Sequence, residues 1–510
     1  MSTVPDSSQV YTPQPNAGTP YGPTALSNIV LRSSDSIDFY VLRDFLRYVS
    51  PFFVDMFDLP ATEQNEKKGG LPIIPITESS ETLRHLLDFI HPHDCEPQLD
   101  NVPLFLNVCK ATQKYCMKNI ENKLRKRIVT SHLISTEPLR LYAVAIDLGW
   151  EEVALIAAQK TSGIPLSILG HAEELRNISG SGFYRFLEYK LRCEKTGPAF
   201  TTMPITSFQL MTLSKATTRS GASTLLIPGA LATPDPFGST GKADIVLRSS
   251  DSVAFFVIGD IIRMASSTLS NLYDTAMAGG ESTDGRIIIN VAEDSKVLFQ
   301  LLCLIHPILA ELDIQNCQLF IQVVLAARRL GVTVVETRLR KQAAASPLIL
   351  TEPLRMYVVA SALGWDDMAK SAALNTFFHP LQEMAYTEEF DLITGTDLYR
   401  LVAFRFKCAN AACNVITGNS DYNTHGPGRW GSSINSDVKH HGPTEQVFEK
   451  LRSCPRGSTI TEAYYLEDNG LNTERGRISC STLAKVLRCK REIAVAVEAA
   501  VMKACCSSSS

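Results

Sequence analysis

Residues whose types and spacing could do chemistry are few in this 510-residue chain. The densest group is Cys408, Cys413, His425, His440, His441 and Cys454, ligands of the kind that hold zinc. A structural zinc site draws on two tight ligand pairs. Cys408 and Cys413 fit the first loosely, and the adjacent His440 and His441 do not fit the second. Buried or free thiols are therefore expected, with metal binding by these C-terminal Cys and His residues as an alternative. Gly426-Pro-Gly-Arg-Trp-Gly431 has the spacing of a dinucleotide-binding turn. Such a turn must join a strand to a helix, so that its glycines admit a pyrophosphate to the helix N-terminus. No apolar strand precedes this one, and it reads as loop. The chain lacks Gly-x-x-x-x-Gly-Lys-Ser/Thr, His-Glu-x-x-His and Gly-x-Ser-x-Gly. Cys505 and Cys506 do not make a prenylation box, because Ser507 holds the fourth position from the end. The expectation is no catalytic residue, no cofactor, no metal and no enzyme.

The elements that would position any site come in two copies. Ile29-Val-Leu-Arg-Ser-Ser-Asp-Ser36 returns 216 positions later as Ile245 to Ser252. At an offset of 215, Ile90-His91-Pro92 returns at Ile305, Thr136 to Arg140 at Thr351, Leu148-Gly149-Trp150 at Leu363, and Cys193 at Cys408. A repeat this long is a whole domain and not a solenoid unit, so each copy should bury its own core. Because Cys193 lacks the Cys and His neighbours of Cys408, its recurrence argues against zinc. His91 and His306 recur at helix ends, where capping or packing is the expected role.

Within the first copy, Ile29–Leu31 and Ile37–Val41 read as a hairpin. Ser50-Pro51 starts a helix, with Ser as the capping oxygen and Pro at its first turn. Phe52, Phe53, Met56 and Phe57 form one apolar stripe on that helix. Such a stripe is more often core than interface, and these four are also the candidate protein-interaction residues. Leu71–Ile76 is a strand whose prolines favour an edge or a strand end. Helices follow from Glu81 to Ile90, over Val102–Arg127, from Pro138, from Trp150 and over Tyr184–Cys193. The fold class is α+β: a small β-sheet in each copy, flanked by a helical cluster with a helical C-terminal extension.

The expected division is a disordered N-terminus (1–26), unit 1 (27–135), its helical extension (136–195), a linker (196–241), unit 2 (242–350), its extension (351–412) and a loop-rich tail (413–510). The tail contains a possible turn at Val447–Leu451 and an amphipathic helix over Ser479–Lys503. In the second copy, Ser266-Ser-Thr-Leu269 stands for Ser50-Pro-Phe-Phe53, which reduces the stripe to Leu269, Leu272 and Tyr273. The two copies are therefore expected to differ in partner surface.

Hydrophobic residues make up 45% and charged residues 20%, the balance of a globular protein. The net charge of −4 offers no field for nucleic acid or an anionic membrane. Met1 to Tyr21 has neither the basic start nor the apolar core of a secretory signal. Thirteen cysteines without a repeating spacing suggest reduced thiols, hence the cytoplasm or nucleus.

The first copy resembles a BTB/POZ domain of the form common in fungal proteins. The resemblance rests on Ile29 to Phe39, Ser50-Pro-Phe-Phe-Val-Asp-Met-Phe57 with Leu59-Pro60, Leu71 to Ile76, and Ser80 to Pro92. The second copy is similar over about 243–375. The resemblance implies a protein-interaction module, often paired through its first helix and its surroundings; some members recruit cullin-type ubiquitin ligases. Asn28 stands where the family usually has Asp, as Asp244 does, and Leu42 and Ile258 stand where a His is common. For the apolar-x-Glu motif of cullin binders the chain offers only Ala61-Thr62-Glu63. The expected function is a non-enzymatic scaffold acting through tandem BTB domains, by homo- or hetero-association, with the units pairing inside the chain or between chains. The alternative is a substrate adaptor of a cullin-type ubiquitin ligase. Partners are proteins, a cullin among the possibilities, and neither nucleic acid nor membrane.

Overall fold

A computed structural model describes residues 16–59, 66–91, 97, 99–196, 237–238, 243–279, 282–283, 285–306, 312–383, 386–417, 445–461 and 480–506. The first copy opens with the hairpin β1 (Ile29–Arg32) and β2 (Asp38–Val41), then α1 (Arg43–Val49) and α2 (Pro51–Asp58). Strands β3 (Lys67–Lys68) and β4 (Leu71–Pro75) precede α3 (Ser80–Ile90), α4 (Val102–Lys114) and α5 (Lys118–Thr130). Helices α6 (Leu133–Thr136), α7 (Pro138–Asp147), α8 (Glu151–Lys160) and α9 (Gly180–Thr196) follow. The strand order is β2-β1-β4-β3, with β1 antiparallel to β2 and parallel to β4.

The repeated octapeptide owes its composition to three local jobs. Ile29, Val30 and Leu31 are buried in the middle of the sheet. Ser33 Oγ accepts from Ile37 N–H at 3.0 Å and closes the turn. Asp35 accepts from Ser80 N–H at 2.8 Å and so satisfies a donor at the start of α3. Ser249 and Asp251 repeat both bonds, to Val253 N–H at 3.0 Å and Ser295 N–H at 2.9 Å. Hydrogen bonds from Ser33 and Ser80 hold the Asp35 carboxyl below the usual range, as Ser249 and Ser295 do for Asp251.

In the second copy, β5 (Ile245–Arg248), β6 (Ala254–Val257), β7 (Ser282–Thr283) and β8 (Arg286–Asn290) take the same order, β6-β5-β8-β7. Its helices are α10 (Gly259–Ala265), α11 (Ser267–Gly279), α12 (Ser295–Ile305), α13 (Cys317–Arg329), α14 (Thr333–Ala345), α15 (Leu348–Thr351), α16 (Pro353–Ala362), α17 (Asp366–Asn375) and α18 (Gly395–Thr417). The tail adds α19 (Glu445–Ser453), α20 (Gly457–Thr461) and α21 (Cys480–Cys506). By packing, residues 1–178 and 189–213 group as one compact unit, and residues 179–188 and 214–510 as another.

Several sequence expectations change. The N-terminal segment expected to be disordered contributes to the fold from Asn16, while residues 1–15 lie outside the described part. Tyr21 is buried, donates from its hydroxyl to Asp88 at 2.6 Å, and accepts at its carbonyl from Tyr40 N–H at 2.9 Å. Ala17 N–H also bonds to Asp38 O at 2.9 Å, so a buried ring and backbone pairing together anchor a segment that has no aliphatic periodicity. Phe237, within the expected linker, is its counterpart: it is buried and its carbonyl accepts from Phe256 N–H at 3.0 Å. Strand β4 lies inside the sheet and not at its edge. Its prolines fit because Pro72 precedes the pairing with β1, which starts at Ile73, and Pro75 is the last residue. The tail also folds in part. Helices α19 and α21 bring Leu451, Ile493, Val497 and Val501 into one core with Phe377 and Cys408.

Candidate interaction face

Helix α1 is set by a side chain far away in sequence. Asn28 Oδ1 accepts from Arg43 N–H at 2.6 Å, and Asp244 Oδ1 does the same for Gly259 N–H at 2.6 Å. Asn and Asp both supply the accepting oxygen, so the change between copies keeps the helix start. Ser50 then ends α1 and caps α2. Its hydroxyl accepts from Phe53 N–H at 3.2 Å and donates to Tyr115 O at 2.6 Å.

The structure separates the four stripe residues. Phe53 is 2% exposed and stacks on Tyr115 and Phe57 at centroid distances of 5.0 and 5.7 Å. It belongs to the core. Phe57 is half-buried beneath the Arg43 guanidinium, 4.6 Å from its ring centre, and Met56 is half-buried as well. Phe52 is 40% exposed and leans on Tyr115 at 5.4 Å. The ring platform is fixed from below: the Tyr115 hydroxyl donates to Glu78, which also accepts from Lys114 Nζ at 2.8 Å. Burial pushes the Tyr115 phenol up, with Glu78 adding to it. Burial also raises the Glu78 carboxyl, but Lys114 and Tyr115 more than offset that and leave it low.

Two exposed residues were not singled out by the stripe. Tyr48 on α1 is 90% exposed, and Leu59 at the end of α2 is also largely exposed. With Phe52 they present apolar groups on one helical pair, which an Arg47–Asp58 ion pair of 2.8 Å ties together. Tyr48 lies on α1, outside the stripe of α2. In the second copy, Met264 replaces Tyr48 and is 89% exposed, while Thr268 replaces Phe52. The Arg263–Asp274 counterpart of the ion pair is 3.7 Å long.

The remaining candidates are structural or outside view. His91 packs its ring on Phe45 and Tyr21, at 4.9 and 5.4 Å, and its N–H caps α3 by bonding to Leu87 O. His306 packs on Phe237 at 5.2 Å. Cys408 is a buried thiol. His425, His440, His441 and the 426–431 glycine run lie outside the described residues, as does Ala61-Thr62-Glu63. Among the described residues, no group of three or more His, Cys, Asp or Glu could hold a metal, and no helix is long and apolar enough to cross a membrane.

No curated protein matches the chain. Residues 21–132 match the BTB/POZ domain family model, so the first copy carries a BTB/POZ domain, a module for protein–protein interaction.

Proposed function

We propose that the protein is a non-enzymatic scaffold built from two BTB-like units, and that the first unit associates through its α1–α2 face with a second copy of the chain. The observation that carries this reading is the split between Phe53 and its neighbours. One side of α2 is locked into the core by Tyr115 and Phe57, which leaves Phe52, Tyr48 and Leu59 at the surface. Exposed aromatic and aliphatic side chains on a rigid helical pair suit an interface centre better than a solvent face. The matching sheet order and repeated polar contacts support a BTB-like fold for the second copy. Its exposed apolar side chains there, Met264, Leu272 and Met277, include no aromatic ring, which suits a different partner. The scattered cysteines support action in the cytoplasm or nucleus. Sedimentation velocity over a concentration series tests association. Mass is expected to rise with concentration; a fixed monomer mass overturns the reading.

A further inference from the structure

The tail core joins two thiols. Cys408 lies in α18 and Cys505 is the penultimate residue of α21. Their sulfurs are 3.7 Å apart, both are buried, and both are reduced. Sulfurs in van der Waals contact on two packed helices need only a small side-chain rotation to reach the ~2.05 Å of a disulfide. The two are chemically unequal. The contact with Cys505 together with burial pushes the Cys408 thiol up. For Cys505 the contact with Cys408 and the positive charges of Lys370, Lys407 and Arg456 favour the thiolate, against the effect of burial. Cys505 also sits beside the exposed Cys506 at a helix end, where the last carbonyls lack intrahelical partners and fraying gives access.

We propose that Cys505 and Cys408 form an oxidant-responsive pair that locks the C-terminal helix onto α18. Hydrogen peroxide is the oxidant class. The Cys505 thiolate attacks one peroxide oxygen, the O–O bond breaks, and the departing hydroxide is protonated to water, leaving a sulfenic acid. The Cys408 sulfur then attacks the Cys505 sulfur. The S–S bond forms, the S–O bond breaks, and the leaving hydroxide takes the Cys408 proton as a second water. Two thiols are oxidised and one peroxide is reduced to two waters. A thiol reductant reverses the bond by exchange. In the reduced protein, α21 is held by apolar packing and by the Glu498 contacts to Arg456 and Gly457 N–H. In the oxidised protein it cannot leave.

The test is peptide mapping of the full chain after mild peroxide treatment and thiol blocking. The expected product is a disulfide whose fragment ions place it at Cys408 and Cys505, not at neighbouring Cys413 or Cys506. It persists in a Cys413→Ser/Cys506→Ser variant and disappears in Cys505→Ser. The oxidised wild-type protein melts several degrees higher, and dithiothreitol returns it to the starting Tm. A bond through Cys413, Cys454 or Cys506, a bond between chains, or unchanged thiols at Cys408 and Cys505 overturns the proposal. If Cys505→Ser fails to fold, the wild-type map decides alone.

Discussion

The two copies share several interior polar contacts and diverge on α1–α2 and its counterpart. Arg140 reaches Glu174 in the first copy as Arg355 reaches Glu389 in the second, at 2.9 and 3.0 Å through Nε. Glu78 accepts from Lys114 as Glu293 accepts from Arg329. Lys190, fully buried, donates to Thr161 O and Ile164 O at 2.6 and 2.7 Å. Arg405 takes that position in the second copy: Nη1 bonds to Thr376 O, and Nη2 bonds to His379 O and also reaches Ser453 O at 2.7 Å. These contacts satisfy buried charge and backbone, so losing them costs the fold. The helix surface carries no such obligation. There Tyr48 and Phe52 become Met264 and Thr268. The copies thus keep a common frame while one of them keeps an aromatic face.

The sharpest break in that comparison comes at the ring platform. Phe53→Ala should destabilise the first unit by about 3–5 kcal/mol, measured by chemical denaturation. A cost under about 1 kcal/mol would remove Phe53 from the core. The second test is Asp38, which is buried with Arg32 at 2.8 Å and Lys68 at 2.6 Å, whereas the second copy has Ala254 there. Asp38→Ala should cost about 2 kcal/mol, less than a fully buried pair, because both cations reach water. Burial pushes the Asp38 carboxyl up, but hydrogen bonds from Arg32 and Lys68 bring it below the ordinary range. Its folded pKa lies below the unfolded value, so its stabilisation is complete above about pH 4 and is lost as pH falls through the folded pKa. Acid titration of the variant should therefore show a shallower loss of stability than wild type. An equal slope contradicts the assignment.

A smaller effect is expected at Arg405. Arg405→Lys should keep the two contacts that Lys190 shows are within reach of lysine and lose the one to Ser453. The cost should be about 1.5 kcal/mol, with faster proteolysis of the tail. An unchanged tail would mean that Ser453 is held by other contacts. The smallest stability effect belongs to the exposed face. Tyr48→Ser and Phe52→Ser should each move stability by less than about 0.5 kcal/mol. A larger loss would make them core residues and end the comparison.

Much of the frame was legible in the sequence because it repeats. The octapeptide, the Ser50 cap and the Phe stripe all predict local structure from local chemistry. Helix α1 was not legible, since its capping oxygen comes from Asn28 across the hairpin. The role of Tyr21 was hidden for a similar reason: its hydroxyl partner, Asp88, is 67 positions away. The stripe identified α2 but could not say which ring turns inward. That depends on Tyr115, which arrives from the end of α4 to cover Phe53. Tyr48 lies on α1, so the stripe on α2 carried no information about it.

The most direct test of the central claim is light scattering on the full chain carrying Tyr48→Asp with Phe52→Asp, beside wild type and Met264→Asp. The account predicts a monomer for the double variant, with wild type and Met264→Asp remaining associated and all three melting together. An unchanged mass for the double variant, with the same Tm, would contradict it.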